Sequence, residues 1–124
     1  MNISNIIGKE GEGLVKQWYL INGYKFVVAN FQYFRSGIRG QNGEIDLIFI
    51  KQNKVYLIEV KSRKSQGLGS PLDTINKSKM VFLYKTYQHF LFKYPQYQKL
   101  FVQFDAAVVI DGKISILPNA YHYF

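Results

Sequence analysis

The chain has 124 residues, of which 48% are hydrophobic and 19% charged, and its sixteen Lys and Arg against eight Asp and Glu give a net charge of +8. This length and composition predict a single folded domain spanning residues 1–124 and exclude a disordered tail. Cysteine is absent, which excludes disulfides and thiolate metal sites. The first residues lack a signal-peptide pattern, and no apolar run approaches the roughly 18 residues of a membrane span. We therefore expect a soluble cytoplasmic protein without a membrane partner.

The first predicted element is a helix that begins after Ser4, a suitable N-cap, and runs to Ile21, with Gly23 as the stop signal. The helix contains Gly8, Gly11 and Gly13. Each glycine costs about 1 kcal/mol relative to alanine inside a helix. Either another backbone or a substrate approaches too closely there for a side chain, or the helix begins late. Residues 24–34 are rich in β-branched and aromatic side chains and predict the first strand.

Residues 44–50 and 55–62 predict a hairpin closed by the two-residue turn Gln52-Asn53. Counting back from the turn places Asp46 directly opposite Glu59. Cross-strand partners have Cβ atoms about 4.5–5.5 Å apart, so two carboxylates in these positions repel each other. A divalent cation between them would reverse that effect, since Mg²⁺ is held by one or two carboxylates with water and phosphate oxygens.

Two further residues belong to this face of the hairpin. Lys61 follows Glu59 by two residues and therefore points to the same side of the strand. The same register places Glu44 opposite Lys61. Two carboxylates and an ammonium group on one strand face are the components of metal-assisted phosphodiester hydrolysis.

The second half of the chain begins with a helix signal at Ser70-Pro71, and the helix runs to Tyr94 before Pro95. Residues 100–110 are almost continuously apolar, as in a strand covered on both faces. Within that strand a buried Asp105 needs hydrogen-bond partners, because an unpaired buried carboxylate is costly. A turn then leads to a strand at 113–117. The order α-β-β-β-α-β-β predicts an α/β fold with a mixed central sheet flanked by helices.

The spacing of Asp46 and Glu59-Val60-Lys61 resembles the PD-(D/E)XK nuclease superfamily, in which a metal-binding Asp is followed one strand later by Glu-x-Lys. More closely, the chain resembles the YraN-like family of uncharacterised bacterial proteins, which are similar to archaeal Holliday-junction resolvases. The matching motifs are Gly8-x-x-Gly11-Glu12, Gly23-Tyr24, residues 43–48 and 59–63, Gly69, Pro71, Lys79 and Phe104-Asp105. The chain departs from the family in its longer segment at 32–42 and in Gln103, where the family tends to have Arg. The resemblance implies a restriction-endonuclease-like core.

The resemblance also implies roles for the hairpin residues. Asp46 and Glu59 would hold Mg²⁺ or Mn²⁺ and act in catalysis, and Glu12 would be an additional ligand, direct or through water. Lys61 would orient the attacking water and neutralise charge developing on the phosphate. Glu44 would support the ligands or form a structural salt bridge with Lys61. The alternatives are exposed strand carboxylates, a solvated helix glutamate and an edge-strand lysine that discourages aggregation.

The excess of basic residues suggests a polyanionic partner, and DNA is the one that the resemblance implies, in structured or branched form. Six basic residues near the motifs are candidate phosphate contacts, although each alone is also compatible with ordinary solvated surface. They are Arg35, Arg39, Arg63, Lys64, Lys77 and Lys79.

These observations together predict a Mg²⁺- or Mn²⁺-dependent DNA endonuclease. One alternative is a nucleic-acid-binding module with vestigial or no catalysis, and another is a structural partner that uses its basic face on RNA or protein. The terminal segment Tyr121-His122-Tyr123-Phe124 either packs on the core or forms a homodimer contact.

Overall fold

The computed structural model of the protein describes residues 3–34, 42–63 and 77–121. Two helices and five strands make up this part of the chain, with a single 3₁₀ turn at Pro95–Tyr97. In chain order they are α1 (Ile3–Ile21), β1 (Lys25–Phe34), β2 (Asn42–Lys51), β3 (Lys54–Arg63), α2 (Lys77–Lys93), β4 (Phe101–Ile110) and β5 (Lys113–Tyr121). Neither helix in these ranges is long and apolar enough to cross a membrane.

The five strands form one mixed sheet in the order β1-β2-β3-β4-β5. Only β3 and β4 run parallel, since α2 carries the chain back between them, and the other neighbours pair antiparallel. The strands β1 and β5 are the outer strands of this sheet. The arrangement confirms the predicted element order and mixed α/β class and is consistent with a restriction-endonuclease-like core.

Several predicted boundaries are confirmed and one explanation is wrong. The helix α1 ends at Ile21 as predicted, but it begins at Ile3, so a late helix start does not explain the glycines. The strand β5 continues past residue 117 to Tyr121, because it stays paired with β4 across a register shift between Phe104 and Ala106. The predicted start of α2 at Ser70-Pro71 and residues 122–124 of the aromatic terminus lie outside the described residues.

The core is divided by the sheet into two apolar clusters. One cluster packs α2 against the sheet and includes Leu83 and Phe90, and the other packs α1 and includes Val15 and Tyr19. Successive residues of β2 alternate between the clusters, as the period-two geometry of a strand requires: Ile48 belongs to the α2 cluster and its neighbours Leu47 and Phe49 to the α1 cluster. The helices therefore cover opposite faces of the sheet.

The buried carboxylate of Asp105, whose side chain is on the α1 side, has the partners that its burial requires. Its exposed fraction is 2%. The hydroxyl of Tyr19 donates to Oδ2 at 2.9 Å, and Oδ1 accepts from Gln103 Nε2 at 2.8 Å and from the backbone N–H of Asn119 at 3.1 Å. These bonds confirm the expected structural role and tie α1, β4 and β5 together. Burial raises the pKa of the Tyr19 hydroxyl, and the charge of Asp105 and the hydrogen bond to it raise this pKa further.

Two glycines let the helices approach the sheet closely. A Cβ on Gly43 would meet the side chain of Thr86 and the backbone oxygen of Phe82 in α2. A Cβ on Gly11 would meet Ser62 in β3 from the other face. Close backbone approach therefore explains Gly11, one of the three unusual helix glycines, whereas a Cβ on Gly8 or Gly13 meets nothing within 4 Å.

We expect Gly43→Ala to lower the free energy of unfolding by about 1–3 kcal/mol, because the backbone oxygen of Phe82 lies 2.9 Å from the added carbon and must move. Gly13→Ala is the matched control. Its methyl group enters open space on a helix, so it should raise stability by about 0.5–1 kcal/mol. Urea denaturation of both variants measures the difference. Equal stability of the two variants would contradict the close packing of β2 on α2.

Candidate functional site

The predicted site lies where β2 and β3 separate. Near the turn the two strands pair as predicted, from Lys51–Lys54 to Leu47–Ile58. Beyond Leu47 the pairing between them stops. Residues 42–45 of β2 continue to pair with β1, and residues 59–63 of β3 continue to pair with β4. The sheet therefore opens into two arms at the position of the predicted metal site.

The carboxylate of Asp46 lies in this opening. Its Oδ2 accepts a hydrogen bond from the backbone N–H of Val60 at 2.8 Å. In a continued ladder of this register, that N–H would bond to the carbonyl of Ile45. The side chain of Asp46 thus takes the place of a backbone acceptor. It satisfies the N–H of Val60 at the point where the strands separate.

The opening corrects part of the predicted register. The backbone pairs Asp46–Glu59 and Glu44–Lys61 are not formed, because the ladder ends one pair earlier. Lys61 instead forms an ion pair with Glu59 on its own strand, with 2.9 Å between Nζ and Oε1. Only 14% of each of these two side chains is exposed, so the pair is shielded from water. The salt bridge between Glu44 and Lys61, one of the two alternatives for Glu44, stays a prediction.

On the α1 side, Glu12 and Glu44 are joined by an asparagine. The amide nitrogen of Asn30 donates to Glu12 Oε1 at 3.3 Å and to Glu44 Oε1 at 3.0 Å. Gln32 adds a longer bond to Glu44 Oε2 at 3.5 Å. Glu12 of α1 and Glu44 of β2 therefore belong to one hydrogen-bonded group.

The acidic groups influence one another across the opening. Burial raises the pKa of Asp46 to about 7, and the charges of Glu12, Glu59 and Glu44 add to the rise, while the bond from Val60 opposes it. Burial also raises the pKa of Glu12, with the charge of Glu44 as a further cause and the bond from Asn30 as the main opposing one. Four of the eight acidic residues of this basic chain are therefore concentrated in one region at an electrostatic cost.

The chemistry of these donors suits a hard divalent cation. Carboxylate oxygens are the ligands that Mg²⁺ and Mn²⁺ prefer, and added positive charge would offset the repulsion around Asp46. A cavity of about 10 Å³, close to the minimum for one water molecule, lies between Glu44 and Glu59 beside Leu83 and Phe104. Within the described ranges, however, no three acidic or histidine side chains are grouped so as to hold a metal ion. The metal roles of Asp46, Glu59 and Glu12 stay predictions.

The predicted phosphate contacts are only partly described. Arg35, Arg39 and Lys64 lie outside the described residues. Lys77 and Lys79 lie in the first turn of α2. Arg63 ends β3, where its Nη1 donates to the carbonyl of Ser62 at 3.0 Å.

A groove of about 260 Å³ beside Arg63 also contains Glu10 and Asp111. Its two carboxylates outnumber the guanidinium group of Arg63. The described residues of this groove therefore do not supply the net positive charge that a phosphate site needs.

Asn30 is the site residue that sequence reasoning missed. It interrupts an aromatic and β-branched strand, and it has a φ of +52°, in the left-handed region. Asparagine is several-fold enriched there among non-glycine residues. The sequence offers one sign of its position: Asn30 is a single polar residue, of a type that favours left-handed backbone, within the apolar run Phe26–Phe31. This sign predicts a break in the strand, but it does not predict which residues Asn30 contacts.

We expect the stability of the protein to depend on pH through Asp46. Its pKa is about 7 in the folded protein against an ordinary value of 3.8, so the folded state binds more protons between these values. The free energy of unfolding therefore falls as the pH rises from about 4 to about 7. Asp46→Asn keeps an oxygen for the Val60 N–H but carries no charge.

The variant should consequently be more stable than the parent at pH 8, by on the order of 2–4 kcal/mol, with little difference at pH 4. Urea denaturation in EDTA at both pH values measures this. Asp111→Asn, an exposed aspartate in the β4–β5 turn, is the control. The interpretation fails if the parent and Asp46→Asn lose stability equally on going from pH 4 to pH 8.

Comparison with known proteins shows to which family the chain is related. Residues 11–109 match the model of the uncharacterised protein family UPF0102. A UPF0102 protein of Alkaliphilus metalliredigens is 31% identical over 122 residues, covering 96% of this chain and 100% of its own length. Another, from Thermodesulfovibrio yellowstonii, is 34% identical over 119 residues, covering 93% of this chain and 95% of its own. The chain therefore belongs to the UPF0102 family.

Proposed function

We propose that the protein is a Mg²⁺- or Mn²⁺-dependent DNA endonuclease. The observation that carries the proposal is that the carboxylate of Asp46 lies where β2 and β3 separate and is influenced by the charges of three other motif carboxylates. Asp46 lies in the opening, Glu12 and Glu44 share one hydrogen-bonded group beside it, and the Glu59–Lys61 ion pair lies on the adjacent arm. Burial and the charges of three carboxylates raise the pKa of Asp46, and pKa shifts of this kind are common at functional sites.

Asp46 and Glu59 would hold the cation, with Glu12 as a further ligand. A bound divalent cation would polarise the scissile phosphate and lower the pKa of a coordinated water. Lys61 is held in place by Glu59, so its ammonium group is ordered before any substrate arrives. In the proposed reaction it orients the attacking water and offsets the negative charge that develops on the phosphate oxygens. Structured or branched DNA as the substrate rests on the resemblance to resolvases alone.

A second candidate is a nucleic-acid-binding module without catalysis. The observation in its favour is that the described residues contain no assembled metal-ligand group and that Lys61 already neutralises Glu59. The net charge of +8 supports a polyanionic partner under either proposal. Metal-dependent cleavage separates the two functions.

The test of the nuclease is cleavage of linear, nicked, flapped and four-way DNA by the purified protein, in Mn²⁺ and in EDTA. Asp46→Asn should weaken Mn²⁺ binding, because the amide keeps the shape and loses the charge. Lys61→Ala should reduce cleavage by on the order of 10²-fold, since its task is confined to the transition state. It should bind Mn²⁺ at least as well as the parent, because Lys61 no longer competes for Glu59.

Lys99→Ala, an exposed lysine between α2 and β4, is the matched control and should cleave like the parent. Absence of Mn²⁺-dependent cleavage on all four substrates, together with loss of DNA binding in Lys61→Ala, would make Lys61 a phosphate anchor and favour the binding module.

DNA affinity should fall steeply with salt under both proposals. If about four to six phosphates are contacted, the slope of log K against log salt should be near −4 to −5, because bound counterions are released. Fluorescence anisotropy with labelled DNA in EDTA, between low and moderate salt, gives the slope. A flat response would remove nucleic acid from the partners of this protein.

A further inference from the structure

Asn30 occupies an interruption of the sheet directly beside Asp46. The pairing of β1 with β2 includes Ala29–Leu47 and Phe31–Ile45 but omits the pair Asn30–Asp46 between them. The backbone of Asn30 is left-handed, with φ of +52°, so its side chain departs from the regular alternation of the strand. Of these two residues, Asn30 joins Glu12 to Glu44. The carboxylate of Asp46 lies in the opening between β2 and β3.

The contacts of Asn30 are those of a residue that holds two carboxylates in place. Its single amide nitrogen lies 3.3 and 3.5 Å from the two oxygens of Glu12 and 3.0 Å from Oε1 of Glu44. Without a donor between them, these carboxylates repel each other, and the charge of Glu44 already raises the pKa of Glu12. An amide bridges them without supplying a positive charge. A lysine in its place would neutralise the acids and remove their attraction for a cation.

We infer that Asn30 is a positioning residue, which fixes the carboxylates of Glu12 and Glu44 beside Asp46 for the binding of a divalent cation. The inference rests on the proposed metal-dependent function. It assigns to Asn30 the task that hydrogen-bonding partners of ligands perform in metal sites, where their loss typically lowers metal affinity by about 10- to 100-fold. It also explains why position 30 is an asparagine with a side-chain donor. Glycine would adopt the same left-handed backbone but has no side chain to donate.

The test compares Asn30→Gly with Asn119→Gly. Both asparagines have left-handed backbones, with φ of +52° and +53°, so glycine replaces each without backbone strain. Asn119 lies in β5, its side chain is exposed, and its bond to Asp105 is made by the backbone N–H, which glycine retains. Calorimetric titration with Mn²⁺ should show about tenfold weaker binding for Asn30→Gly and no change for Asn119→Gly.

Two further readouts separate positioning from a general structural effect. DNA binding in EDTA should be the same for the two glycine variants. In cleavage assays, a higher Mn²⁺ concentration should restore the rate of Asn30→Gly to that of the parent, because the ligands themselves remain. A rate that stays low at saturating Mn²⁺ would overturn the positioning role.

The failure of this inference is distinguishable from the failure of the proposed function. If the parent binds Mn²⁺ and Asn30→Gly binds it equally well, the positioning role is overturned and the nuclease proposal stands. If neither the parent nor Asn119→Gly binds Mn²⁺, the metal-dependent function is overturned and the role of Asn30 with it.

Discussion

The separation of β2 from β3 is the constraint on which the rest of the site depends. Strands that leave a ladder expose backbone donors, and an unsatisfied buried N–H costs about as much as a lost hydrogen bond. Asp46 removes that cost for Val60 by accepting its N–H at 2.8 Å. The carboxylate is consequently fixed inside the sheet, where burial and neighbouring charges act on it, instead of on a freely solvated surface.

The close packing of both helices supports this arrangement. Gly43 brings α2 against the arm that contains β2, and Gly11 brings α1 against the arm that contains β3. Each helix therefore covers the sheet near the opening, and α1 places Glu12 within reach of the strand residues. The bonds of Asp105 to Tyr19 and Asn119 hold α1 and β5 to the sheet on the same face. Local strand geometry and long-range packing thus determine the site together.

Much of this architecture follows from local rules. The two-residue turn fixes the register near Lys51–Lys54, the apolar run at 100–110 predicts a buried strand, and the need of a buried carboxylate for donors predicts the partners of Asp105. The opening beyond Leu47 could not be predicted in this way. Periodicity assumes that a ladder continues to the end of its strands, and nothing local to residues 59–63 shows that they pair with β4 alone.

The position of Asn30 was equally inaccessible, for a different reason. A left-handed residue within a strand can be suspected from its type, but its contacts depend on which helix residue lies opposite. Glu12 is eighteen residues earlier in the chain, and only the packing of α1 on the sheet brings the two together. Sequence reasoning therefore singled out the charged residues of the candidate site and missed the neutral residue that joins Glu12 to Glu44.

The left-handed backbone at Asn30 also bears on how the protein avoids association through its sheet. Long regular outer strands offer rows of N–H and C=O groups to other chains, and proteins limit this with bulges, prolines and short edges. Here β1 has a bulge between Phe26 and Val28 and a further break at Asn30, while β5 contains Pro118 and the left-handed Asn119. Both outer strands of the described sheet are thus interrupted, so the residue that orders two carboxylates also makes its strand a poor template for intermolecular β-pairing.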